Sequence, residues 1–353
     1  MTMFARRSLP AAVLSVFLWA VPGTAPATAQ EAKPLPGSWI DALSLASLPD
    51  GSLLVAQRSG LVDRLVPDGS GYRSPEVWAD LGDNGHSDLL GFAVDPDFLS
   101  SGYVYAVLRT VVDGVPVAHL TRWRDSAGLV VLNKVLADNL PSGTDRAGGV
   151  VKFGPDGHLW VGIGDGGAPA ADVTPANLRG VLLRYNPDGS VPADNALPGS
   201  PVWAWGFRDP GAITWQPSTG KLFVLDRGPA VAQGTNDPVD IVAKGDNFGW
   251  PKYMARDYGR GTTPPLTYCS SGHSWVPNGA AFVTTGDWDG SLVFAGSGKG
   301  NLIRLTLTSK TPTKITFEDE VYTGEFGALM DVAPASDGSV LLLSREKLYR
   351  IVP

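Results

Sequence analysis

The sequence predicts an all-β fold, a six-bladed β-propeller. Three observations predict it. An apolar strand introduced by a glycine-containing tight turn recurs six times along the chain. The 43 Gly and 29 Pro among 353 residues demand frequent turns and few long helices. Apolar residues make up 43% and charged residues only 18%, so a sizeable core can form. A chain of this length suggests about two domains, but all-β folds of this size are often single.

The six units run in order. Pro49-Asp50-Gly51 precedes "SLLVAQ", and Pro96-Asp97 with Gly102 precedes "YVYAVL". Pro155-Asp156-Gly157 precedes "HLWVGI", and Pro217 with Gly220 precedes "KLFVLD". Asp289-Gly290 precedes "SLVFAG", and Asp337-Gly338 precedes "SVLLLS". Proline presets φ, aspartate bonds back to its own backbone, and glycine takes a positive φ. The strands alternate: Leu159, Val161 and Ile163 share one face and Trp160 takes the other. Further strands follow in "GLVDRLVPDG", "NLIRLTLT" and "KLYRIVP". The gaps between the turn glycines are 51, 55, 63, 70 and 48 residues, and the long ones leave room for functional loops. Asp156, Gly157 and His158 thus belong to a repeated turn and read as structural. The stretch Gly162 to Gly167, with Asp165, is not repeated and follows its strand, at the end of a propeller that carries site loops.

Residues 1–29 read as a secretory signal peptide. Arg6 and Arg7 open it, Ala11 to Val21 is an apolar run too short to span a membrane, and Ala27-Thr28-Ala29 is a small-x-small cleavage signal. The mature chain, from residue 30 to 353, reads as one propeller domain with a periplasmic or secreted location and no membrane span. It retains 26 basic against 35 acidic residues, a net charge of −9, which argues against a nucleic-acid partner. Cys269 is the only cysteine, so no internal disulfide forms and the fold relies on packing. The four histidines lack zinc spacing. Asp80, Asp83, Asn84 and Asp88 form an acidic loop that departs from EF-hand spacing and reads as solvated.

Five ordered stretches carry a family resemblance: "LLGFAVDPDFLSSGYVYAVL", "GGVVKFGPDGHLWVGIGDGG", "GVLLRYNPDGSVPADNALPGS", "WAWGFRDPGAITWQPSTGKLFVLDRGP" and "KGDNFGWP". Together they resemble the soluble glucose/sorbosone dehydrogenases, six-bladed propellers that use pyrroloquinoline quinone (PQQ) with calcium. The resemblance covers nearly all of the mature chain and weakens from about residue 260. It implies a sugar substrate, hydride transfer to PQQ on the top face, and an external electron acceptor.

Carried over by residue, the resemblance implies a rearranged site. The family's catalytic His position holds Arg146, after a retained Asp145, and the motif's Arg is Val150. Asp165 matches the Asp that orients the base. An arginine stays protonated, so Arg146 cannot be that base, and an Arg146–Asp165 ion pair is expected instead. His86 stands where the family has Gln and is the histidine placed to take over as base. Arg208 and Asp209 stand for the family's Arg-Asn pair, Arg227 precedes the Gly228-Pro229 pair whose carbonyls are expected to bind calcium, and the PQQ lysine is shifted by one, to Lys299. Two late arginines are replaced by Ala328 and Met330. Each charge-assisted bond to a carboxylate contributes roughly 1.5–3 kcal/mol, so losing two weakens cofactor binding by about a hundred-fold or more. The alternative reading is a non-catalytic propeller that binds a ligand or protein on the same face.

Overall fold

The computed structural model describes residues 31–352, apart from 83–86, 169, 232–233, 254, 256–257, 270–272, 309–313 and 336. Six four-stranded antiparallel sheets form the blades of a propeller. Blade 1 holds Ala42–Ser47, Leu53–Gln57, Leu61–Leu65 and Glu76–Asp80. Blade 2 holds Asp88–Val94, Tyr103–Val112, Val115–Ser126 and Leu129–Pro141. Blade 3 holds Gly148–Phe153, Leu159–Ile163, Val181–Tyr185 and Val202–Trp205. Blade 4 holds Pro210–Trp215, Leu222–Asp226, Pro238–Val242 and Thr267–Tyr268. Blade 5 holds Pro277–Phe282, Leu292–Gly296, Asn301–Leu307 and Ile315–Thr323. Blade 6 holds Leu329–Pro334, Val340–Ser344 and Leu348–Ile351, and its fourth strand is Ala32–Pro34 from the other end of the chain.

The repeated strands of the sequence are the second strands of the blades. In blades 1, 3, 4, 5 and 6 all five residues of that strand are buried. Burial on both faces follows from stacking, because each blade has a neighbour on either side. The alternation assigns the faces. Leu159, Val161 and Ile163 pack with Tyr105, Val107 and Leu120 of blade 2. Trp160, on the opposite face, packs with Ile213, Leu222 and Val224 of blade 4. Four further clusters fill the remaining gaps around the ring. Each buried aliphatic or aromatic side chain contributes about 1.5–3 kcal/mol.

The first strand of each blade touches the first strands of both neighbours, so six of them surround the axis. Close approach there needs glycine: a Cβ at Gly91 would collide with the Gly149 carbonyl, and one at Gly211 with the Pro277 carbonyl. The ring closes through Ala32↔Ile351, Lys33↔Arg350 and Pro34↔Tyr349. Among the described residues no helix is long and apolar enough to cross a membrane. Cys269 is buried among blade 4 and 5 residues.

Candidate active site

A cavity of about 610 Å³ opens at the end of the propeller where the second strands finish. All six blades reach it. Arg58, Arg227, Ser297 and Arg345 line it from turns directly after second strands, and Arg109 lines it from within the blade 2 strand. Arg146 and Arg208 enter from the connections into blades 3 and 4. Six arginines therefore share the wall of one cavity in a chain whose net charge is −7. Guanidiniums concentrated in a concave site select anionic ligands.

The expected ion pair is present. Arg146 Nε donates to Asp165 Oδ1 at 2.7 Å, and Asp165 is only 2% exposed. The carboxylate accepts two further bonds, from Gly167 N at 2.8 Å and from Trp250 Nε1 at 3.0 Å. The pair does not fill the cavity, whose wall includes Arg146 itself. The Arg146 backbone sits in the left-handed region, with φ 51°. That conformation is unusual for a non-glycine residue and concentrates at functional sites. Gly148 and Gly149 follow with φ 67° and 97°, which lets the chain turn sharply into blade 3. Asp145 lies 3.6 Å from Arg146 and is largely exposed.

Arg208 differs from its neighbours. Among the described residues it pairs with no carboxylate; its Nη1 donates to the carbonyls of Arg227 at 3.0 Å and Gly228 at 3.1 Å. Its Nε is buried without a hydrogen-bond partner among the described residues, and its guanidinium lies 5.7 Å from the Trp250 ring centroid. Arg227, by contrast, is spent on structure. It donates to Pro277 O, Asp209 Oδ2 and Asn278 Oδ1 at 2.9, 3.0 and 2.9 Å. Asp209 also accepts from Gly148 N at 2.9 Å, so it ties blade 3 to blade 4.

Beneath these arginines lies Asp226, 5% exposed, accepting from Arg208 N at 2.7 Å and Asp209 N at 2.6 Å. Burial, aided by the Asp209 charge, pushes its pKa up to about 7, against the lowering effect of the two backbone donors. The unfolded chain releases this proton near the ordinary value of 3.8, whereas the folded chain holds it to about 7. Across that interval the folded state binds more protons, so this group's contribution to stability is lost as pH rises. Tm of Asp226→Asn minus Tm of the parent protein is therefore expected to rise from pH 5 to pH 8. Parallel melting curves across that range would refute it.

Other expected residues lie elsewhere. Lys299 is exposed in the turn after the second strand of blade 5 and is not on the cavity wall, although Ser297 is. His86 lies outside the described residues. The described histidines are bound up away from the cavity: His119 with Thr110 and Asp138, His158 with Asp156 and Arg184, His273 with Glu320. Of the acidic loop, Asp80 caps Gly82 N and Asp88 pairs with Arg109, whose Nη1 also donates to Gly143 O at 2.8 Å.

The Gly228-Pro229 carbonyls do not fit calcium in this arrangement. A guanidinium already occupies Gly228 O, and Pro229 O accepts from Asn236 N at 3.3 Å. A dication placed there would face the Arg208 charge directly. No group of three or more His, Cys, Asp or Glu among the described residues is arranged to hold a metal.

Sequence reasoning passed over Arg58, Arg109 and Arg345. The signal for two of them was present: "VAQRSG" and "LLLSREK" each place an arginine immediately after a repeated strand, as "FVLDRGP" places Arg227.

The fold and the top-face site define a propeller of the sugar dehydrogenase type. The Glucose / Sorbosone dehydrogenase family model matches residues 40–352, and the chain belongs to that family. It is 25% identical to the aldose sugar dehydrogenase YliI of Escherichia coli K12, over 98% of this chain and 97% of that protein. It is 28% identical to the quinoprotein glucose dehydrogenase B of Acinetobacter calcoaceticus, over 58% of this chain and 48% of that one. The PQQ-bound aldose sugar dehydrogenase of Streptomyces coelicolor superposes with a TM-score of 0.78 at 26% identity, covering 93% of this chain and 99% of that one.

Proposed function

We propose that the chain is an exported quinoprotein that oxidises a sugar, with PQQ seated in the arginine-walled cavity and an external acceptor taking the electrons. The observation that carries this reading is the wall itself. PQQ is a tricarboxylate, and the residues present fit it: six guanidiniums line the cavity, and Arg208 keeps a buried, unpartnered Nε. The volume of about 610 Å³ lies within the usual range for small-molecule sites. The likeness to a quinoprotein and to a PQQ-bound structure supports the same assignment. Bound PQQ supplies the hydride acceptor.

The chain's own residues divide the remaining work. Asp165 holds Arg146 by its Nε, and the terminal nitrogens of this cavity-lining side chain make no hydrogen bond among the described residues. A protonated guanidinium donates hydrogen bonds and does not accept protons. Arg146 therefore orients a sugar oxygen and stabilises negative charge there. The proton of the oxidised hydroxyl goes to His86 in this proposal, because that residue stands at the family's Gln position. Calcium at Gly228-Pro229 has no part in it. The apolar leader and the cleavage signal support export.

The test is dye-linked oxidation across a panel of aldoses with PQQ-loaded protein. Sugar-dependent dye reduction is expected. In His86→Ala, kcat is expected to fall by roughly 10²–10⁴-fold with Tm unchanged. Arg146 in the base position favours a second reading, a propeller that binds its ligand without turning it over. PQQ binding with no turnover on any sugar would establish that second reading.

A further inference from the structure

We propose that Arg58 and Arg345 form a carboxylate clamp on the cavity wall contributed by blades 1 and 6. In the ring these blades lie across from blades 3 and 4, which carry Arg146, Arg208 and Arg227. Both clamp residues line the cavity. They share one acid: Arg58 Nε lies 3.0 Å from Asp41 Oδ2, and Arg345 Nε lies 3.5 Å from Asp41 Oδ1. Two guanidiniums on one carboxylate leave a surplus positive charge. The terminal nitrogens of both arginines make no hydrogen bond among the described residues. The two carboxylates on the wall do not compensate, since Asp145 lies beside Arg146 and Asp209 beside Arg227.

The clamp is built by the backbone. Asp41 sits at φ 56°, and its carbonyl accepts from Arg58 N at 3.0 Å. Ala42 N donates to Arg345 O at 2.9 Å, and Arg345 N donates to Ala328 O at 3.2 Å. The turns that carry the two arginines are thereby locked across the seam where the ring closes. Met330 lines the same cavity. Paired guanidinium edges recognise a carboxylate in a bidentate manner.

That carboxylate has two sources, PQQ or an acidic sugar such as a uronate. The PQQ arm rests on the function proposed above; the sugar arm does not. The experiment is calorimetric titration of the full-length mature protein with PQQ, with D-glucuronate, and with D-glucose as the neutral control. Arg345→Gln is expected to weaken binding of the clamped anion about ten-fold or more, and glucose not at all. Asp41→Asn is the decisive companion. It removes the neutralising charge, so a clamp binds its anion several-fold more tightly. A merely structural Asp41 gives unchanged or weaker binding in that variant.

Weakening by Arg345→Gln on PQQ alone assigns the clamp to the cofactor, and on glucuronate alone to the substrate. Glucuronate binding with this pattern but no PQQ binding keeps the clamp and removes the quinoprotein reading. PQQ binding indifferent to Arg345→Gln, with glucuronate indifferent or unbound, removes the clamp and keeps that reading. Weaker anion binding in Asp41→Asn, or no anion bound by the parent protein, also overturns the clamp.

Discussion

Asp165→Ala is expected to lower stability by about 3 kcal/mol, at the lower end of the cost of breaking a buried ion pair. The carboxylate is 2% exposed and accepts from Arg146 Nε, Gly167 N and Trp250 Nε1, which the variant strands together. The low end applies because the Arg146 side chain is 26% exposed and regains part of its hydration. In a domain of this size that is a fall in Tm of roughly 4–5 °C. Asp165→Asn keeps the shape and an acceptor oxygen, so its fall is expected to be smaller. Differential scanning calorimetry reads both. Equal falls would mean that the loss of charge accounts for the whole effect and that the acceptor oxygen kept by asparagine contributes nothing.

Arg208→Gln is expected to weaken PQQ binding by roughly 10–150-fold, the value of one charge-assisted bond. The upper part of that range is expected because the Nε of Arg208 is already out of water without a partner. A donor desolvated in advance gains a bond at little further cost. The substitution also lifts the guanidinium from Gly228 O. Calcium is thus expected to leave PQQ affinity unchanged in the parent protein and to partly restore it in the variant. Calorimetry in EDTA and in excess calcium separates the two. Affinity that collapses in EDTA for the parent protein would show that the Gly228-Pro229 carbonyls hold a metal despite Arg208.

The blades were legible because two constraints coincide in each repeat. A turn that requires glycine at positive φ precedes a strand that is apolar on both faces, and only stacked sheets bury both faces. Gly51, Gly157 and Gly338 take that positive φ, at 82°, 75° and 84°. Ala32–Pro34 was not legible. Three residues at a sheet edge, partly or largely exposed, have no apolar period, and their partner lies at the far end of the chain. The Arg146–Asp165 pair was legible because opposite charges stood at positions that the resemblance had already brought together. The arginine wall was half legible. The ends of second strands were singled out as the site face from Asp165 alone. Applying that rule to every blade would have found Arg58 and Arg345 beside Arg227. The engagement of Arg208 with the Gly228 carbonyl, and the proton held by Asp226, had no sequence signal. Both depend on where backbone atoms meet across a blade junction.

The most direct test of the account is calorimetric titration of PQQ into the purified mature protein with EDTA present throughout. Saturable binding at one site, weakened by rising salt as guanidinium–carboxylate contacts require, is the expected result. The absence of binding at micromolar PQQ would contradict it and leave a propeller of the glucose/sorbosone dehydrogenase family whose arginine-walled cavity holds a different anion.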